Sequence, residues 1–449
     1  MVRTLVHTEA ILTLDPRRPF LPGGALLVAG GRLEAVLDRT EAAGVGDSVE
    51  RVDLGHCLAV PGFVQTHLHL CQTLFRGLAD DLDLLHWLRE RIFPLEAAHD
   101  EASMRASARL GLWELSRSGT TALMDMGTVR HTAALGEEIE ASGLRAYFGK
   151  ALMDINATCP SLCEPTGAAL SEAQELRREF HGRAGGRLRF AYTPRFVLSC
   201  SDELLRESFA LTSAMPDGRW HTHASESPGE MREVLVRCGC GNVEHLGRLG
   251  TLSPQSCLAH CIHLDEGEVR RLMDSGTHVL HCPSSNLKLA SGIADVPGLL
   301  RRGVSVSLGC DGAACNNALD MFTEMRLAAL IHKPRHGPTA MPALEVLEMA
   351  TLGGARALGW DLEIGSLTPG KSADAVFVNL SRAWNPLGPV SPEAYAGALV
   401  YSGRPENVDA VMASGEWLVR SGRTLRYEET EVCARAAEAL GALRSRARV

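Results

Sequence analysis

The sequence predicts an α/β fold: a (β/α)8 TIM barrel carrying a small β-sandwich domain formed by both chain ends. Three observations predict it. Between about residues 58 and 360, short apolar strand-like runs alternate with longer helical stretches. No G-x-G-x-x-G fingerprint follows an early strand, which disfavours the doubly wound sheet, the competing α/β fold. Both ends of the chain read instead as short apolar runs broken by Gly-rich turns.

Taken in order, ALLVAGGRLEAVL near the start supplies the first β-rich segment, spanning residues 1–57. The barrel strands follow as CLAVPGFVQTH, TTALMDM, RAYFGKAL, LRFAYTP, RWHTHA, SCLAHC, HVLHCP and VSVSLGCD, in a domain expected over 58–360. Helical stretches such as MRASARLGLWELSRSG, EAQELRREF, DELLRESFALTSA and DEGEVRRLMDSG lie between them. ADAVFVNL and DAVMASGEWLVRSGRTL return to β structure over 361–430 and are expected to join the first segment in one sheet domain. Residues 431–449 read as a terminal helix or tail.

A chain of 449 residues is long enough for one large domain plus a smaller one. Its net charge of -9, with no basic run, argues against a nucleic-acid partner. Blocks such as GALLVAG are too short to span a membrane. The opening MVRTLVHTEAILTLDP lacks the long apolar core of a signal peptide. Thirteen cysteines without C-x-x-C pairing suit a reducing compartment. A soluble, cytoplasmic protein is expected.

In a barrel of this kind, functional groups sit where the strands end at their C-termini. His67 and His69 close the first strand, and their i, i+2 spacing aims both imidazoles at one point. The fifth strand closes in HTHASE, where His223 stands nearer the mouth than His221 and Glu226 follows three residues later. His223 is therefore expected as ligand, with His221 a lower-layer bystander. The sixth strand closes with His260 and the eighth with Asp311. A carboxylate there can share the ion and accept a proton from water. Three histidines and one aspartate around one ion, with Glu226 as a separate acid/base, describe a catalytic site; structural zinc sites are usually closed by cysteines. A second ion would need a bridging ligand near the end of strand four, which reads Thr193, Pro194, Arg195 and Phe196, and an arginine cannot bridge cations. Lys150, on strand three, reads as a pocket or core-edge lysine.

These residues resemble the amidohydrolase superfamily, and within it the deaminases of adenosine-type nucleosides and of guanine, with the triazine hydrolases close by. The resemblance runs over nearly the whole chain and rests on PGFVQTHLHL, RGLADDLDLLHWLRERIFPLE, HTHASE, LAHCIHL, HCPSSNLKLASG and LGCDGAACNNALDMFTEMRLAAL. It implies that His67, His69, His223 and Asp311 hold one divalent ion, zinc first and iron(II) or manganese(II) as alternatives. It also implies that Glu226 and His260 flank the attacking water, that His281 supports the site from behind, and that the chain forms a homo-oligomer.

For the substrate, the resemblance points two ways. NLKLASG, DGAACNNALDMF and FPLE resemble deaminases of 5'-deoxyadenosine, methylthioadenosine and adenosylhomocysteine, in which Glu96 would accept hydrogen bonds from ribose hydroxyls. Gln72 and the Arg195–Phe196 pair resemble guanine deaminases, where such residues grip the purine. Adenosylhomocysteine deaminases more often carry a histidine in place of Arg195 and an arginine in place of Lys150, which favours a smaller 5' group here. An adenosine-type nucleoside is the expected substrate. A guanine or 8-oxoguanine deaminase, a triazine-type hydrolase and a non-catalytic scaffold are the alternatives.

Overall fold

The computed structural model describes residues 3–447. Residues 1 and 2 of the first expected segment, and 448 and 449 of the expected tail, lie outside the described residues. Four strands come first: β1 (Arg3–Leu12), β2 (Phe20–Ala29), β3 (Arg32–Leu37) and β4 (Glu50–Pro61). The central strands are β5 (Phe63–Leu68), β6 (Thr120–Thr128), β7 (Arg145–Leu152), β8 (Leu188–Pro194), β9 (Arg219–Ala224), β10 (Ser256–His260), β11 (His278–His281) and β12 (Val306–Leu308). The last are β13 (Ala375–Val378), β14 (Val408–Ala413), β15 (Glu416–Arg420) and β16 (Arg423–Thr424).

β5 to β12 form one parallel eight-stranded sheet in sequential order, with helices between successive strands. Its ends meet where Leu68 bridges Asp311 and the Asp311 N–H donates to the His67 carbonyl at 3.0 Å, so the sheet curls into a barrel. Both faces of these strands are covered, which is why they read as nearly continuous apolar runs. At one end the interior is filled by Val64, Met124, Tyr147 and Leu280 against Trp360, whose ring lies 4.6 Å from that of Tyr147. The open end is the one where the strands finish.

The chain ends form a second eight-stranded sheet, in the order β16-β15-β14-β13-β4-β1-β2-β3. It curls until the Leu33 N–H reaches the Lys371 carbonyl at 2.8 Å and the Ala373 N–H reaches the Gly31 carbonyl at 2.9 Å. Val6, Leu26, Leu33, Ala59, Phe377 and Met412 fill its interior.

Three details differ from the sequence reading. The run CLAVPGFVQTH is not one strand: β4 continues to Pro61, pairing with Ala375, and β5 begins at Phe63 beside Thr120. The terminal sheet therefore extends past residue 57. Gly62 alone separates the two strands; its N–H donates to the Asp374 carbonyl at 3.0 Å, and a Cβ there would collide with the Thr121 side chain. Within 361–430 lies a helix, Pro392–Ser402, whose Tyr395, Leu399 and Val400 join a core shared by the barrel and the terminal sheet. The terminal helix begins at Glu429 and lies along the helix Glu101–Arg117, with Arg446 donating to the Ala98 carbonyl at 2.8 Å and pairing with Asp100 at 3.0 Å. No helix among the described residues is long and apolar enough to cross a membrane.

Candidate metal centre and active site

Four strand ends converge at the open end of the barrel. His67 and His69 leave β5 with their Nε2 atoms 3.3 and 3.4 Å from Asp311 Oδ1. His223, from β9, sets its Nε2 3.2 Å from that of His69, with the two rings stacked. One donor atom from each of His67, His69, His223 and Asp311 lies within 4.8 Å of the other three.

The contacts behind the rings fix which nitrogen each presents. His223 Nδ1 donates to the Arg195 carbonyl at 2.6 Å, so its Nε2 carries a lone pair. With His67 Nε2 turned to the cluster, its Nδ1 donates to His221 Nε2 at 2.8 Å. His67 Nε2 is buried without a hydrogen-bond partner. Burial, the largest effect on each, lowers the His67, His69 and His223 imidazoles from their usual range, toward the form that ligates. For Asp311, burial alone would raise the carboxyl, but the histidines around it, His67 foremost, hold it well below the usual range and ionised. Converging lone pairs, an orphaned nitrogen and an ionised carboxylate fit a divalent cation.

Beside this cluster stands Glu226, which is buried; burial first, then the Asp311 and Glu230 carboxyls, push it well above the carboxylate range. Its Oε2 lies 3.5 Å from His260 Nε2, which is 3.8 Å from Asp311 Oδ2. His260 Nδ1 donates to Asn286 Oδ1 at 2.8 Å, leaving Nε2 to exchange protons with the two carboxyls. Ser225, His260 and Asp311 all adopt positive φ, a left-handed backbone that L residues rarely hold and that gathers at functional sites.

A narrow cleft opens over the cluster, lined by Gln72, Leu84, Trp87, Leu88, Arg195 and Phe196 with His69, His223, Glu226 and Asp311. The expected substrate contacts Gln72, Arg195 and Phe196 all line it. Glu96 is not free to meet a substrate alone: Arg195 grips it with both terminal nitrogens, at 2.6 and 3.0 Å, and Gln72 Nε2 donates to it at 2.9 Å. Its carboxylate holds the two cavity residues in position. Lys150 does not join the site. Its ammonium is fully buried against Glu164 at 2.8 Å, Glu172 at 3.0 Å and the Val129 carbonyl, so this substrate contact is corrected to a buried ion pair that ties β7 to the helix Thr166–Phe180.

Three contributors escaped the sequence reading. His221, read as a bystander, orients His67. Asn286 sits in HCPSSN, a motif noted for His281, whose own nitrogens find no partner. Glu230 accepts the Glu226 N–H at 2.6 Å and closes a capping box with Ser227, a signal present as Ser-Pro-Gly-Glu.

A barrel that brings three imidazoles, an aspartate and a second buried carboxyl to one cavity has the donor set and acid/base groups of a metal-dependent hydrolase. The chain belongs to the amidohydrolase family, whose profile, described as "Amidohydrolase family", matches residues 58–418. It is 40% identical to a 5'-deoxyadenosine deaminase of Methanothermobacter thermautotrophicus, covering 95% of this chain and 97% of that protein. It is 38% identical to a 5-methylthioadenosine/S-adenosylhomocysteine deaminase of Syntrophobacter fumaroxidans, over 96% of each. The crystal structure of an adenosine deaminase from Xanthomonas campestris with bound zinc superposes with a TM-score of 0.91 over 99% of both chains, at 30% identity.

Proposed function

We propose that this protein hydrolytically removes the 6-amino group of an adenosine-type nucleoside with a small 5' substituent, such as 5'-deoxyadenosine or methylthioadenosine. The observation that carries the reading is the placement of the buried Glu226 carboxyl 3.5 Å from His260 Nε2 at the edge of the donor cluster. That pair serves a reaction in which one ring nitrogen must gain a proton while water loses one. The names of the Methanothermobacter and Syntrophobacter relatives support the nucleoside.

When bound by His67, His69, His223 and Asp311, a divalent ion supplies Lewis acidity toward water. Zinc is the ion proposed, supported by the imidazole-rich donor set and by the zinc in the Xanthomonas structure. Asp311 accepts a proton from the attacking water, whose oxygen bonds to C6. Glu226 protonates the neighbouring ring nitrogen, and His260 steadies the new oxygen. The proton held by Asp311 then passes to the amino nitrogen, the C6–N6 bond breaks to release ammonia, and the proton on the new C6 hydroxyl returns to Glu226, leaving the carbonyl product. Arg195 and Gln72, braced by Glu96, orient the purine against Phe196 and Trp87. A cytoplasmic setting and a homo-oligomer belong to the same reading; the unbridged cysteines suit the former.

An ammonia-release screen across adenosine, 5'-deoxyadenosine, methylthioadenosine, adenosylhomocysteine, guanine and 8-oxoguanine tests the choice. The highest kcat/KM is expected for a nucleoside with a small 5' group. Arg195, Phe196 and Gln72 in the cavity favour a purine base as the second reading, and preference for guanine or 8-oxoguanine would establish it in place of the first.

A further inference from the structure

A second group of donor atoms converges in the terminal sheet, outside the barrel. β4 loses its regular pairing with β1 between Leu54, opposite Thr8, and Leu58, opposite Ala10, so Gly55, His56 and Cys57 face Glu9 alone. β14 is irregular too: Phe377 pairs with Ala410 and Val378 with Val408, leaving Asp409 as the extra residue. In a regular strand, neighbouring residues point to opposite faces, and a bulge re-aims them. Here the two bulges, on either side of β13, turn toward each other. His56 Nε2 lies 3.6 Å from Asp409 Oδ1, and one donor atom from each of His56, Cys57 and Asp409 lies within 4.8 Å of the other two.

We propose that His56, Cys57 and Asp409 form a peripheral binding site for a thiophilic divalent cation of the zinc type, clipping β4 to β14 across β13. The donor chemistry selects the class of ion. A thiol, an imidazole and a carboxylate suit a borderline-soft cation, whereas magnesium and calcium take oxygen ligands. The charges agree. Burial first, then the Asp409 and Glu9 carboxylates, push the Cys57 thiol far up, against a smaller opposing effect of Arg382; a divalent cation reverses that balance, and the thiol gives up its proton to solvent as the sulfur binds. Access is built in. The His56 side chain is 48% exposed and that of Asp409 21%, so an ion on the buried sulfur would have an open side for water.

Cobalt(II) separates the two centres, because the barrel cluster offers only nitrogen and oxygen donors. The full-length protein, stripped with a chelator, is reconstituted with Co2+ alone, and metal uptake and the near-ultraviolet spectrum are recorded. Two equivalents are expected, with a thiolate-to-cobalt charge-transfer band. Cys57→Ala and Asp409→Asn should each abolish the band and reduce uptake to one equivalent, with kcat/KM unchanged. Asp409→Asn, on the partly exposed side, keeps the test open should Cys57→Ala fail to fold. Uptake of a single equivalent by the unaltered protein, or a band that survives either substitution, would overturn the proposal.

Discussion

Glu226 and His221 show how neighbouring positions on one chain segment divide their work. Glu226 lines the cavity beside His260 Nε2, so Glu226→Gln keeps the shape and removes the acid. A fall in kcat of about 10²- to 10⁴-fold is expected, with metal content by elemental analysis unchanged. Retained turnover would remove Glu226 from the mechanism. His221 acts at one remove, through the 2.8 Å contact that fixes the tautomer of His67. His221→Ala should weaken metal affinity by about 10- to 100-fold, read by competition with a chelator, and excess metal should restore most activity. His223→Ala, which deletes a donor, should not be rescued in this way. The sequence distinguished His223 from His221 by strand depth, because period-two alternation and distance from the strand end are legible in a string of letters. It could not reveal that the deeper histidine holds another ligand in place, since that contact joins residues 67 and 221 across the barrel. Lys150 failed for a related reason: its direction depends on Glu164 and Glu172, which no motif links to it.

Among the elements, the barrel strands were legible because each is a short apolar run buried on both faces and separated from the next by a helical stretch. The break between β4 and β5 was not legible, because apolar character continues unbroken through Pro61, Gly62 and Phe63. What divides the run is hydrogen bonding to two different sheets, and only the glycine records it. Gly62→Ala would push a methyl group into Thr121. A loss of about 1–3 kcal/mol is expected, seen as a lower urea midpoint with an unchanged slope. An unaltered midpoint would mean that the close approach carries no constraint. The helix Pro392–Ser402 was missed for the opposite reason: its surroundings read as β structure, and its place in the shared core is set by tertiary packing.

For the whole molecule, three of the four donors flank the barrel's closing seam: His67 on β5, His69 just past its end, and Asp311 just beyond β12. An ion held there fastens the first strand to the last. Binding only the folded state, it stabilises by about 2.7 kcal/mol at one hundred times its dissociation constant. Chelation is therefore expected to lower Tm, with the largest gain in amide exchange at β5 and β12. Uniform exchange across all eight strands would argue against a fastening role. The overall architecture was legible because strand and helix alternate in separate stretches of chain, whereas the curling of the terminal sheet joins segments more than three hundred residues apart.

Gly62 gives the molecule an unusual lineage of stiffness. A domain joined through a loose tether can drift without consequence for its neighbour, but here the smaller sheet runs straight into the strand that bears two of the donors. The pitch of β4 is inherited by β5, and with it the aim of His67 and His69. The terminal sheet therefore works as a gunsight mount for the metal centre. Grafting this barrel onto a different partner domain would require reproducing one strand's angle at residue 62 together with the apolar surface that the two sheets share.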